Sequence, residues 1–440
     1  MLQMMGANSP WNSLANSLAN SLANRLLLKP LRHHSTLALS GSLQKANPRL
    51  PLHNFSPGPT SLPKPVLARL SENVSDHVKH QTVSPMELSH RSPEFLAIKA
   101  NTENSLRRLF DLSDDFEILL THGGAHAQFA AVPLNLATSS SSAHYFINGT
   151  WSARAAKEAA KYCRNVTTLG PIEGEGWWQP SSLLFEDTPA PETTGMATTP
   201  RPSYAYLCSN ETVNGIEYFE FPDLSMLQVP LVVDMSSDLG SKVVDFTNID
   251  VAFACTPKNL GIPGLTIVFV KKKWLDGSKR TAQSITPGIL NWQQHVENDG
   301  LWNTPASFNI YVTGLVCEWM EENGGIVEME RRAILKSNLL YDYIDNSNGF
   351  WKTPHEDVRQ RSRMNVPFRV AGMKGGDGKD GVALTEEFVT MAYEKNVVGL
   401  RTMTPFGTGE YLRASLYNSV ELEAVEMLVE MMQEFQDTWI

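Results

Sequence analysis

Three short apolar runs stand out along the chain, at 229–233, 251–255 and 265–270, each rich in β-branched residues and bounded by polar residues or Gly/Pro. Unbroken apolar runs of this length predict strands buried on both faces. Comparable runs predict strands at 116–121 and 204–208, and another ending at Asn148 and Gly149. Between them the pattern turns helical: after Pro63, from Ser92 and Pro93, after Gly124, from Trp151, and at 308–322 and 326–345 on either side of Gly324 and Gly325. Further on, helices are expected from Thr385 and from Val420, with a strand-like run at 397–403 and loops at 187–202 and 372–381. Alternating strands and helices predict an α/β large domain over 50–325, and a smaller α+β C-terminal domain over 326–440.

Residues 1–49 differ in kind. No Asp or Glu occurs before position 72, while Arg25, Lys29, Arg32, Lys45 and Arg49 are scattered among Ser, Asn, Leu and Ala. Leu14, Leu18, Leu22 and Leu26 fall four apart, so a helix would carry them as one slowly drifting stripe. This is the make-up of a transit peptide for an organelle matrix or stroma, with the mitochondrion placed ahead of the plastid; a plain low-complexity tail is the alternative.

Composition narrows the class. Hydrophobic residues make up 42% and charged residues 19% of 440, and no apolar run is long enough to cross a bilayer. A net charge of −10 argues against a nucleic-acid surface. The four cysteines, Cys163, Cys208, Cys255 and Cys317, show no CxxC and no metal-ligand spacing, and read as reduced, buried thiols.

The chemistry collects at strand ends. One central run ends at Asp234, and the next leads into Thr256, Pro257, Lys258 and Asn259. Singly these read as a helix cap and a solvated turn lysine. Together, at the edge of an open α/β sheet where ligands bind, they offer an amine for a carbonyl cofactor and a carboxylate for a pyridinium nitrogen, as pyridoxal phosphate requires. Gly123 and Gly124 make a strand–turn–helix cradle suited to phosphate, and Trp151 opens the next helix where an indole can stack on a flat ring. Asn210 and Thr212 occupy another strand end, Arg91 reads equally as an anion ligand or a surface arginine, and Arg413 lies near the centre of the C-terminal region.

In order and spacing, NFSPGPTSLP, ELSHRS, HGG with QFAAVPLNL, SNETVNGIEY, VVDMSS, KNLG, NTPASF, RSRMNVPF and RASLYNS resemble the phosphoserine aminotransferase family. The likeness implies a fold-type I enzyme with a mostly parallel seven-stranded sheet, pyridoxal 5′-phosphate as cofactor, and transamination of phosphoserine with 2-oxoglutarate. By the same likeness Lys258 is the Schiff-base lysine and proton shuttle, Asp234 holds the ring nitrogen, Trp151 stacks on the ring and Thr212 touches its phenolic oxygen. The amides of Ala125 and His126 would hold the phosphate with Asn303 and Thr304 of a second subunit, which implies a homodimer. Arg413 would clamp the substrate α-carboxylate, and His90 with Arg91 would face its distal anionic group. The pattern departs from the family at Pro57 (serine there), His126 (arginine), Pro257 (glutamine) and Phe406–Gly407 (a His-Arg pair), with Glu410 and Tyr411 replacing two glycines. These departures leave two further readings, a transaminase of the same fold with another amino-acid substrate, and an inert dimeric relative. Retention of Lys258 and Asp234 speaks against the second.

Overall fold

The computed structural model describes residues 51–170, 201–276, 282–371, 381–400 and 410–440. The stretch 1–49, where a leader with a leucine stripe is expected, the Pro/Thr-rich stretch up to 200, the Gly-rich stretch at 372–380, and Phe406 and Gly407 lie outside the described residues.

Seven strands form the main sheet: β2 (Phe116–His122), β3 (Ser142–Phe146), β4 (Asn165–Leu169), β5 (Ala205–Cys208), β8 (Leu231–Asp234), β9 (Val251–Cys255) and β10 (Leu265–Lys271). Their order is β2-β10-β9-β8-β5-β3-β4, and only β10 runs antiparallel to its neighbours. The sheet is therefore mostly parallel, as expected. The reversal at β10 follows from its short connection, since the nine residues after Cys255 are too few for a parallel crossover.

The apolar runs are continuous because both faces are covered. Alternate residues such as Leu231, Val233, Ala252, Ile267 and Phe269 face a core shared with Phe95, Leu106, Ile310 and Leu315. Those four come from α2 (Pro93–Leu109) and α6 (Ser307–Glu322). The intervening residues Val232, Val251, Phe253 and Val268 pack against Phe129 and Val132 of α3 (Gly124–Leu136) and Ala155 and Ala159 of α4 (Thr150–Ala159). Full burial of a residue such as Phe253 or Ile267 stabilises the fold by roughly 1.5 to 3 kcal/mol.

A second core surrounds the antiparallel sheet β11-β12-β14, formed by Trp351–Lys352, Asn365–Val370 and Leu412–Ser415. It is covered by α7 (Gly325–Asp345), α8 (Gly381–Glu394) and α9 (Leu422–Trp439). Helix α7 serves both cores, with Ile326 and Met329 in the first and Leu340, Tyr341 and Ile344 in the second. The short strand β1 (His53–Asn54) pairs in parallel with β13 (Val397–Val398), β6 (Asn210–Glu211) pairs antiparallel with β7 (Ile216–Glu217), α1 (Lys64–His80) packs on α6 and α5 (Trp292–Glu297) on β2, and Phe55 is buried in the second core.

Several boundaries differ from expectation. Helix α8 begins at Gly381, a turn before Thr385, and the strand from Val397 is two residues long as far as it is described. The terminal helix starts at Leu422, because the carbonyls of Leu416, Tyr417 and Val420 are held in a turn by Lys336 Nζ at 2.8–2.9 Å. Strand β3 stops at Phe146, and the Asn148 amide turns instead to Ser152 Oγ at 3.1 Å.

Candidate active site

Strands β8 and β9 are adjacent and parallel, so the ends that carry Asp234 and Lys258 emerge side by side. Both residues line one cavity of about 440 Å³. Asp234 is 3% exposed; its Oδ1 accepts the Ser236 amide at 2.9 Å and its Oδ2 the Tyr206 hydroxyl at 3.1 Å. Burial pushes this carboxyl up, while the bonds from Ser236 and Tyr206 and the charge of Lys258 hold it down. A carboxylate with one bond on each oxygen keeps lone pairs for a further N–H donor.

Lys258 sits in a tight turn in which its own amide bonds Thr256 O at 2.7 Å and Thr256 Oγ1 bonds Ile262 O at 2.5 Å. Burial disfavours its ammonium, but Tyr417, Cys255 and Asp234 outweigh that and leave its pKa raised. Gly58 lies so close that a Cβ there would fall 2.4 Å from Lys258 Cε. Only glycine permits this approach, at a φ of +127°.

Gly123, with φ +98°, turns β2 into α3, whose N-terminus has no side-chain cap. Its open amides, among them those of Ala125 and His126, belong to residues lining the cavity, the arrangement that binds a phosphate group. The Trp151 indole forms another wall, with His126 edge-on at 5.7 Å between centroids and the Arg154 guanidinium 4.9 Å from the ring. Its Nε1 is buried and finds no hydrogen-bond partner among the described residues. Arg413, 7% exposed on β14, also reaches the cavity and donates through Nη1 to Thr212 O at 2.7 Å.

The structure thus gathers Ala125, His126, Trp151 and Thr212 with Asp234, Lys258 and Arg413 around one space. Pro57 and Pro257 line it as well. It does not bring in four expected residues. Arg91 and Thr304 are exposed, His90 and Asn303 half-buried, and none of them lines this cavity within the single chain. Tyr411 is buried, with the Arg369 guanidinium 4.9 Å from its ring, and Glu410 is exposed.

Sequence reasoning missed Tyr206, Glu211 and Tyr417. Tyr206 braces Asp234, Glu211 holds the Trp151 helix, and the Tyr417 hydroxyl donates to Pro57 O at 2.8 Å beside Lys258. Two signals were available. Tyr206 is a phenol inside an otherwise apolar strand, and Glu211 is a carboxylate in a run of small polar residues at a strand end.

A carboxylate and an amine lining one indole-walled cavity, together with an uncapped helix start, fit the pyridine nitrogen, carbonyl, ring face and phosphate of pyridoxal phosphate. Fold and site together define a pyridoxal-phosphate-dependent transaminase. The model of the class-V aminotransferases matches residues 52–428. A phosphoserine aminotransferase of Drosophila melanogaster is 40% identical over 382 residues, covering 87% of this chain and 98% of that protein. Phosphoserine aminotransferase 1, chloroplastic, of Arabidopsis thaliana is 37% identical over 388 residues, covering 87% and 82%. Among solved structures, phosphoserine aminotransferase from Bacillus circulans subsp. alkalophilus superposes with a TM-score of 0.75 at 32% identity, covering 88% of this chain and 99% of that one. A PLP-bound phosphoserine aminotransferase from Trichomonas vaginalis gives 0.73 at 30% identity, covering 87% and 100%. The chain belongs to the class-V aminotransferases and, within them, to the phosphoserine aminotransferase family.

Proposed function

We propose that the protein transfers the amino group between glutamate and 3-phosphohydroxypyruvate, giving phosphoserine and 2-oxoglutarate, as a step of serine biosynthesis. The observation that carries the reading is the pairing of Asp234 and Lys258 at adjacent strand ends, in a chain that spans nearly the whole length of the Drosophila phosphoserine aminotransferase. When bound, pyridoxal phosphate supplies a carbonyl that bonds amines and a ring that withdraws electrons from substrate Cα.

The chain's own groups do the rest. Lys258 Nζ tethers the cofactor and, once freed, moves a proton to and from substrate Cα. Asp234 keeps the ring nitrogen protonated, and its raised affinity for protons suits a shared proton. Trp151 covers one ring face, Thr212 meets the phenolic oxygen, and the amides of Ala125 and His126 take the phosphate. Arg413, oriented by Thr212 O, grips the substrate α-carboxylate.

Residues His90, Arg91, Asn303 and Thr304 lie outside the cavity of their own chain, which supports a homodimer in which they complete the partner's site. Residues 50–325 and 326–440 are read as large and small domains, and 1–49 as the leader that directs import into an organelle. Fusing 1–49 to a fluorescent protein and imaging it tests the import and tells mitochondrion from plastid.

A second reading, another amino acid in the same fold, is favoured by Pro57, Pro257 and His126, all of which line the cavity. Each lost charge-assisted contact weakens binding of a phosphate by about 1.5 to 3 kcal/mol. Adding single amino acids to the holoenzyme while recording the cofactor spectrum decides between them. Phosphoserine and glutamate are expected to convert it; silence with phosphoserine and reaction with an uncharged amino acid would select the second reading.

A further inference from the structure

Helix α4, which presents Trp151 to the cavity, cannot cap itself, because its N-cap is Gly149. Its first amides are taken instead by side chains about sixty residues further along the chain. Glu211 accepts the Trp151 amide on Oε2 at 2.8 Å and the Ser152 amide on Oε1 at 2.7 Å, and Oε1 also accepts Ser152 Oγ at 2.7 Å. Asn214 Oδ1 accepts the Thr150 amide at 2.9 Å and Thr150 Oγ1 at 3.1 Å. Glu211 is 0% exposed, so both oxygens are committed to this helix and none to water. The approach is tight, since a Cβ at Gly149 would lie 2.5 Å from Asn214 Oδ1 and 2.6 Å from Glu211 Cδ.

Two adjacent amides held by the two oxygens of one carboxylate fix the rotation of the first turn as well as its position. Trp151 is one of the two residues so held, and its indole direction follows from that rotation. The residue after Glu211 is Thr212, whose carbonyl holds Arg413. One short segment therefore sets the ring-stacking residue with one member and the carboxylate-binding arginine with the next. Burial pushes the Glu211 carboxyl up to about 7, even with the amides of Ser152 and Trp151 opposing. A buried acid kept at that cost in an otherwise ordinary helix cap suggests a duty beyond ending a helix.

We infer that Glu211 is a positioning residue for cofactor binding, acting through the first-turn amides of α4 to set the Trp151 indole against the ring and, through its neighbour Thr212, to register Arg413 with it. The inference rests on the cavity being the pyridoxal phosphate site.

Glu211→Gln tests it in the full chain, because the amide keeps the volume but turns one acceptor into a donor facing a donor. Five quantities are read: affinity for pyridoxal phosphate by titration of resolved protein, visible circular dichroism of the bound cofactor, kcat, KM, and the melting temperature of cofactor-free protein. The expected result is about tenfold weaker cofactor binding or more, the size of one charge-assisted hydrogen bond, with altered visible dichroism and kcat falling more than KM rises. A lower melting temperature with wild-type affinity and dichroism would overturn the inference and leave Glu211 a plain cap. Should the variant not fold, Ser152→Ala removes one donor and leaves both amides. It is expected to weaken cofactor binding about threefold and shift the dichroism, and wild-type values there would equally overturn the inference. Wild-type protein that takes up no cofactor would sink the site reading and this inference together, whereas normal wild-type uptake with an unchanged Glu211→Gln sinks this inference alone.

Discussion

The two ends of the site are built by different means. Around the base and ring of the cofactor cavity the groups are braced from within one chain: Asp234 by Tyr206 and Ser236, the Trp151 helix by Glu211, Lys258 walled by Gly58. By contrast the expected distal anion ligands His90 and Arg91, and the cofactor-phosphate ligands Asn303 and Thr304, lie away from the cavity of their own chain and are exposed or half-exposed. Groups that set a reaction's electronics must be rigid and desolvated, whereas groups that choose among substrates can be delivered later by another surface. Arg413 belongs to both ends. It is buried like Asp234, yet it sits on the small antiparallel sheet rather than on the large one.

The sharpest way to break this comparison is at its rigid end. Lys258→Ala is expected to lower turnover by at least about 10⁴-fold in a steady-state assay, and to abolish the pyridoxyl-peptide that borohydride reduction leaves on residue 258. Arg413→Lys keeps the charge and loses the planar fork; KM for amino acid and oxo acid should rise about tenfold or more, with a smaller change in kcat. The groups that lie outside the cavity of their own chain are probed by mixing inactive chains. Lys258→Ala protein combined with an Asn303→Ala/Thr304→Ala double variant should recover about a quarter of wild-type activity after subunit exchange, because half the dimers then hold one intact site. No recovery despite proven exchange would mean that each chain completes its own site.

The smallest effect is a pH slope. Glu211 faces Asp234, Cys208 and Tyr218, and burial raises its pKa to about 7 from the 4.5 it has in the unfolded chain. Between these values the folded protein holds a proton that the unfolded chain has released, so this group's contribution to stability is present below 4.5 and declines as pH rises to 7. Urea unfolding of cofactor-free protein across that window should show the decline in wild type and lose it in Glu211→Gln.

How far the chain could be read in advance follows the same division. The strands were legible because both faces are covered, which leaves an unmistakable unbroken apolar run, and Asp234 and Lys258 were legible because strand ends are where chemistry collects. The Gly123–Gly124 turn declared itself by composition. What stayed hidden depends on partners far along the chain. Nothing near Glu211 says that its acceptors meet amides sixty residues earlier, and nothing near Val420 says that Lys336, eighty-four residues back, holds its carbonyl in a turn. The reversed direction of β10 escaped a reading that recognised strands without ordering them. The positions of His90, Arg91, Asn303 and Thr304 escaped it for another reason: their setting is decided by surface shape, which local pattern does not encode.

The pairing of His53 with Val397, with Gly58 pressed against Lys258 five residues later, also makes the reactive amine sensitive to where the chain is shortened. Truncation past His53 would remove the pairing with Val397. A few residues more would peel Phe55 from the small core and loosen the wall beside the amine, so such a truncation would be felt first as lost catalysis rather than as lost folding.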